Sequence, residues 1–494
     1  MAFAKNKDIQ IEKTLAFICY AIGLCGLATI VYFCFSSSIW TDEAFTLALI
    51  DHSYIESIVL TANDVHPPLY YLLLKVFVQI LSLIAPGLDP VIIGKLFSAT
   101  VFVVIYLVAL IPVRKEFGSL VSGLFAALMM TFPPIMEYGV EIRMYQLAIL
   151  FVSLAYMELH MAVKYGVRKK HWTAFAIFSI CAAYTQLFAC LAIGMLYLCA
   201  LVWIVLFSGQ RKKTLWKPFF RCIISMVICF LPWLVVVIRQ FMMLQEDYWI
   251  DPISRYDIPI YWKFLFPYIF LGIFVIAIVV SAIIFCMIKK ISFDTVYYGL
   301  TGLAVVFLVI CCGVAVSKLL KPIFAIRYVV PAMGAMWLGI VILAVAVSKH
   351  PVLKAAVTGV IITAAVMGII GFYNSETELR TYSDEVLEFL DKHEGAGFIS
   401  GKDYLEEDLQ SYSGESGYLY KEIPIDVMQQ VYGENLILID TDDVADVLSR
   451  YDEVYYVEGT EGCSAEEFAK DTGLEPVEVA RFIMEGNAVF YRIK

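Results

Sequence analysis

The sequence reads as an α-helical polytopic membrane protein with about 11 transmembrane helices, further juxtamembrane helices and a small soluble α/β domain at the C-terminus. Of its 494 residues, 61% are hydrophobic and only 17% are charged, too little polar surface to coat a soluble particle of this size. Apolar runs long enough to cross a bilayer recur from residue 14 to residue 372. The charge is also divided. Residues 374–494 hold 29 Asp/Glu against 9 Lys/Arg, while the preceding residues hold 17 against 27, so the net −10 joins a basic part to an acidic one. The expected division is a transmembrane domain over 1–373, with a long outer loop at 38–90, and an acidic extracytoplasmic domain over 374–494.

The expected spans are 14–36, 91–112, 119–135, 145–162, 172–189, 191–208, 220–239, 264–287, 297–316, 328–347 and 352–372. Backbone polar groups in lipid need internal partners, so each such run is a helix. Lys5, Lys7 and Lys13 before the first span give it the look of a signal-anchor. The clusters Lys5/Lys7/Lys13, Arg114/Lys115, Arg168/Lys169/Lys170, Arg211/Lys212/Lys213, Lys289/Lys290 and Lys349/Lys354 all fall on one side of this arrangement. The positive-inside rule makes that side cytoplasmic and the tail external. Residues 66–84 are apolar enough to span, but counting them would reverse every later cluster. Pro67 and Pro68 at the start, with Lys75 and Gln79 within, favour a helix lying in the interface. Lacking an organelle signal, the chain fits a bacterial plasma membrane.

The tail alternates β-rich runs (Gly397–Ser400, Leu436–Asp440, Val454–Val457, Ala488–Ile493) with helical stretches (Ser383–His393, Asp442–Arg450, Ala465–Lys470). Asp442 and Ser464 stand where helix N-caps belong. Eleven of the 12 cysteines lie in or beside the apolar segments and only Cys463 is in the tail. That distribution suits small core residues, not a disulfide framework or a zinc site. The tail's acidity excludes nucleic acid and anionic lipid as its partners.

Twelve of the 17 acidic residues before the tail fall on the outer face or at its edge. Trp40-Thr41-Asp42-Glu43-Ala44-Phe45 follows the first span directly. A carboxylate there can take a proton from an attacking hydroxyl; equally, Asp42 can cap a short helix while Glu43 is solvated. Asn63-Asp64-Val65-His66-Pro67-Pro68 follows about twenty residues later. Its prolines fix the entry of the next helix, and His66 either bonds a ligand or the backbone. Asp42, Asp64 and Glu141 are hard oxygen ligands, but no ordered metal-binding motif accompanies them; no cofactor or resident metal is expected.

Together these two segments resemble those of the protein O-mannosyltransferase and lipid A aminoarabinose transferase superfamily, which has the glycosyltransferase clan C fold. There an Asp-Glu pair follows the first span and an Asp-x-His-Pro-Pro-Leu stretch follows in the same outer loop. The resemblance covers roughly residues 14–372. It implies a polyprenyl-phosphate sugar as donor, inversion at the anomeric carbon and Asp42 as catalytic base, with Glu43 beside it. Glu141-Ile142-Arg143-Met144-Tyr145 is similar to a Glu-x-Arg-x-Tyr element in the second outer loop of members, and Lys321-Pro322-Ile323-Phe324-Ala325-Ile326-Arg327-Tyr328 to a later one.

On this reading Arg143, Arg327 and Lys321 meet the donor phosphate, since guanidinium grips phosphate bidentately. Asp64, His66, Glu141, Tyr145, Gln186 and Trp249 bind donor or acceptor. The competing readings are a salt bridge from Arg143 to Glu137 or Glu141, snorkelling for Arg327 and an interfacial aromatic belt for Trp249. Tyr184-Thr185-Gln186 departs from the Thr-His-Tyr of relatives, which puts the sugar preference in doubt.

The expected partners are the lipid-linked sugar, the bilayer and a lipid, glycan or protein acceptor, with no nucleic acid. A polytopic transporter or lipid flippase is the rival reading. It would place charges at the bilayer midplane and repeat its halves, and neither pattern is evident. A catalytically silent scaffold for the tail leaves the Asp42-Glu43 and His66-Pro67-Pro68 motifs unexplained.

Overall fold

The computed structural model describes residues 2–36, 41–166, 169–243, 250, 252–393, 395–400, 436–437, 444–458, 464–482 and 488–494. The chain is a polytopic helical membrane protein with a small C-terminal domain of sheet and helix. It divides into two compact units, Met1–Cys34 with Ser53–Phe372, and Phe35–His52 with Tyr373–Lys494. The short segment carrying Asp42 and Glu43 thus groups with the tail.

The helical unit begins with α1 (Ala2–Phe33), α3 (Tyr54–Asn63), α4 (Leu69–Ile84) and α5 (Pro90–Val108), α2 (Thr41–Asp51) belonging to the other unit. It continues through α6 (Arg114–Phe117), α7 (Ser119–Thr131), α8 (Pro133–Met136), α9 (Tyr145–Tyr165), α10 (Lys169–Thr185), α11 (Leu187–Val202), α12 (Lys212–Met243), α13 (Asp257–Leu265), α14 (Ile269–Met287), α15 (Phe293–Leu319), α16 (Val330–Val347) and α17 (Pro351–Lys392), whose residues from Tyr373 on belong to the other unit.

Among the described residues nine helices are long and apolar enough to span, or ten if α7 and the segment Pro133–Gly139 form one span bent by 69°. Two successive prolines cause that bend: Phe132 before them is extended, as a residue preceding proline must be. Ten of the 11 expected spans fall on these helices. The eleventh, 172–189, falls on α10, a shorter helix of 17 described residues that rise about 25 Å. At 16 residues, α4 is also shorter than a full span.

Close helix packing rests on small residues, because apolar side chains gain little by leaving lipid. A Cβ on Gly123 of α7 would lie 2.8 Å from Ala16 Cα of α1. Gly299 and Gly302 of α15 face Gly339 and Ala335 of α16 in the same way, and α16 is buried on nearly every side.

In the other unit, β1 (Gly397–Ser400), β2 (Leu436–Ile437), β3 (Val454–Glu458), β4 (Val477–Phe482) and β5 (Ala488–Arg492) form a mixed sheet in the order β2-β1-β3-β5-β4. β1 is parallel to β2 and β3, and β5 is antiparallel to β3 and β4. Ile399, Val454 and Tyr456 pack with Val444 of α18 (Val444–Arg450) and Phe468 of α19 (Ala465–Thr472). Ser464 caps α19 in a capping box with Glu467. Asp442 and residues 438–440 lie outside the described residues. The helix expected at Ser383–His393 is not separate but the end of α17, and β4 is an additional strand.

Candidate active site

His66 sits in the turn between α3 and α4. Asp64 ends α3 with its N–H on Leu60 O at 3.0 Å, and Pro67 keeps His66 out of helical conformation. Gln240 of α12 pins the approach: its Nε2 donates to Thr61 O at 3.1 Å, Ala62 O at 3.3 Å and Asp64 O.

Arg143 arrives on the bend between the turn Glu137–Gly139 and α9. That bend is clamped by α5. Gly94 leaves room for Ile142, whose Cδ1 would lie 2.7 Å from any Cβ there. One turn on, Ser98 Oγ donates to Glu141 O at 2.5 Å and accepts from Gln146 Nε2 at 2.7 Å. The rings of Tyr138 and Tyr145 meet at 4.3 Å. Held in this way, Arg143 is buried and its Nη2 stands 3.4 Å from His66 Nε2.

Arg327 comes from a third direction, on the turn Ile326–Val329 that opens α16. Ser317 Oγ accepts from the N–H groups of Ile323 and Phe324 at 3.1 and 3.0 Å, which shapes the loop holding Lys321. Tyr328 stacks on Phe188 at 4.7 Å. Burial first, then the charges of Arg143 and Arg327, hold the His66 imidazole well below its ordinary pKa. The histidine is therefore neutral at pH 7 and its Nε2 can accept from Arg143.

His66, with Arg143 behind it, lines one end of a cavity of about 280 Å³. His66, Gln186 and Gln240 supply the polar end; Leu191, Val237, Phe241, Cys312 and Val316 supply apolar wall. Gln186 caps α11, its Oε1 accepting from Ala189 N at 2.7 Å. What it offers the cavity is therefore its NH2 donor, at a helix N-terminus that favours anions. The arrangement suits an elongated apolar ligand with an anionic head.

The structure brings together His66, Arg143, Arg327 and Gln186, with Asp64, Glu141 and Tyr145 on the segments that position them. Asp42 and Glu43 lie in the first turn of α2, where Thr46 Oγ1 donates to Asp42 O at 2.8 Å. Glu43 is buried, so it is not the solvated surface residue of the simpler reading. Trp249 lies outside the described residues. Among the described residues no group of three or more His, Cys, Asp or Glu is placed to hold a metal ion.

Sequence reasoning missed Gly94, Lys95, Ser98, Gln146 and Gln240. Lys95 is fully buried in α5, and its carbonyl accepts from Cys34 Sγ at 3.5 Å. The available signal was a polar residue inside an apolar run, which lipid tolerates only where it has work inside the protein.

The same fold occurs among solved structures. Two solved structures of ArnT from Cupriavidus metallidurans carry it: the apo state, with a TM-score of 0.54 at 12% identity over 96% of this chain and 97% of that one, and the state bound to undecaprenyl phosphate, with 0.53 at 12% identity over 97% of each. No family model matches the sequence, and no curated protein matches it.

Proposed function

We propose that this chain is a membrane glycosyltransferase that moves a sugar from a polyprenyl-phosphate donor to an acceptor hydroxyl at the outer face of a bacterial plasma membrane. The observation that carries this reading is the cavity with apolar walls and a polar end beside two guanidiniums. The undecaprenyl phosphate bound by a protein of the same fold supports it.

The prenyl chain lies along Leu191, Val237 and Val316. The phosphate meets Arg143, Arg327 and the Gln186 amide, with Lys321 nearby on the loop before Arg327. His66, Glu141, Tyr145 and Trp249 contact the donor or the acceptor. Asp42 takes the proton of the acceptor hydroxyl as its oxygen attacks the anomeric carbon. The bond from that carbon to the phosphate oxygen breaks, and polyprenyl phosphate leaves with the electron pair, its charge stabilised by the arginines. A single displacement inverts the anomeric centre. Glu43 and Asp64 orient the base or the acceptor. The assignment of Asp42 rests on its motif and on the resemblance that the motif carries.

The test uses purified protein in proteoliposomes with a synthetic polyprenyl-phosphate sugar and a panel of lipid, glycan and peptide acceptors, with released polyprenyl phosphate read by mass spectrometry. The wild type releases it and Asp42→Asn lowers turnover by at least about 10²-fold while reaching the membrane normally. Full turnover in that variant removes Asp42 as base. Translocation of the lipid without release would establish the flippase instead.

A further inference from the structure

α10 and α12 bound a second cavity, of about 640 Å³, at the opposite end of α10 from Gln186. Among the described residues four cations line it, Lys169, Lys213, Lys217 and Arg221, and no carboxylate does. On α12 the spacing Lys213, Lys217, Arg221 places three like charges one turn apart on a single stripe, where they repel one another. Lys169 is the first residue of α10 and Lys213 the second of α12, so each adds positive charge where the helix dipole is already positive. Nothing in the helices rewards that placement, whereas an anion in the cavity would be attracted by all four side chains and both helix ends.

Beyond the cations the cavity turns apolar, through Trp172, Ile177 and Ile180, with Ile177 51% exposed. This is the end that also carries Lys170, Arg211 and Lys212, the side the positive-inside rule assigns to the cytoplasm and to anionic lipid headgroups. Cations needed only to set topology have no reason to converge from two helices on one concavity.

We propose that this groove holds an anionic phospholipid of the cytoplasmic leaflet. Its phosphate sits among Lys213, Lys217 and Arg221, and an acyl chain lies along Ile177 and Ile180.

The full-length protein is delipidated in detergent and titrated with phosphatidylglycerol or phosphatidylcholine, with bound lipid counted by native mass spectrometry. The wild type prefers phosphatidylglycerol by about tenfold or more. Lys217→Gln/Arg221→Gln brings that preference close to unity. Lys289→Gln/Lys290→Gln, on the same face but outside the groove, leaves it intact. Ile177→Trp keeps every charge but fills the apolar floor, and it also weakens binding. Equal binding of the two lipids by the wild type overturns the proposal, and so does equal loss in the two double variants, the mark of a merely basic surface. Displacement of the phospholipid by millimolar inorganic phosphate, or by polyprenyl phosphate at equal concentration, overturns it in favour of that occupant.

Discussion

Both cavities take part of their wall from α12 and both have cations at or near them, yet they are built differently. At the His66 end the cationic groups are guanidiniums carried on short turns. Arg143 is buried and its backbone is fixed by Gly94, Ser98 and Gln146. At the Lys169 end the charges ride on exposed side chains of regular helix. An exposed ammonium is screened by salt and free to move, which suffices to hold a lipid headgroup. A charge that must meet a developing anion at a fixed point has to be oriented beforehand, and burial makes it count for more. Preorganisation, more than charge, separates a candidate catalytic cavity from a docking groove.

Removing the oriented charge is the most severe way to break this contrast. Arg143→Ala should lower kcat/KM for the polyprenyl-phosphate sugar by about 10²-fold, or ~2.7 kcal/mol. Arg143→Lys should recover only part of it, because an ammonium lacks the planar fork. Full recovery by lysine in a steady-state donor titration would reduce Arg143 to a point charge, no different in kind from Lys217. A smaller effect should follow from loosening the clamp while leaving the guanidinium in place. Ser98→Ala deletes the hydroxyl that holds Glu141 O and strands Gln146 Nε2, at a cost of about 1–3 kcal/mol in stability. It should also lower turnover several-fold without changing donor charge requirements. Wild-type turnover in Ser98→Ala, read in the same assay, would mean the bend keeps its shape unaided.

What could be read from the sequence follows what each residue has to do locally. The spans are legible because lipid imposes apolar composition over their whole length. The His66-Pro67-Pro68 turn is legible because proline dictates its own backbone. The merging of the expected 383–393 helix into α17 was hidden by polar composition alone, since residues 373–382 contain neither proline nor glycine to stop a helix. β4 was missed for a related reason: Val-Glu-Val-Ala-Arg-Phe alternates charge into the run and lies at the sheet edge, where Val477 is 62% exposed. Arg143 and Arg327 stand 184 positions apart in the chain, and only the motif resemblance linked them. Ser98 and Gln146 are ordinary-looking residues whose role exists only in the contact between α5 and α9.

The smallest expected effect concerns the neutrality of His66. Its pKa in the folded protein lies well below the ordinary 6.5 that it regains on unfolding. Above that ordinary value both states carry a neutral ring and His66 makes no pH-dependent contribution. As pH falls below it the unfolded state takes up a proton that the folded state refuses, so stability is lost, with a limiting slope of about 1.4 kcal/mol per pH unit for one proton. The apparent Tm of the empty protein in detergent should therefore fall between pH 6.5 and 5.5 more steeply in the wild type than in His66→Gln, and the two curves should run parallel above pH 7. Lys217→Gln should retain the wild-type slope, because it leaves His66 and its two guanidinium neighbours unchanged. Parallel curves for wild type and His66→Gln down to pH 5.5 would mean that an anion or a rearrangement readily admits a proton beside the two guanidiniums. His66 would then act as a third cation for the phosphate, not as the neutral acceptor that steadies Arg143.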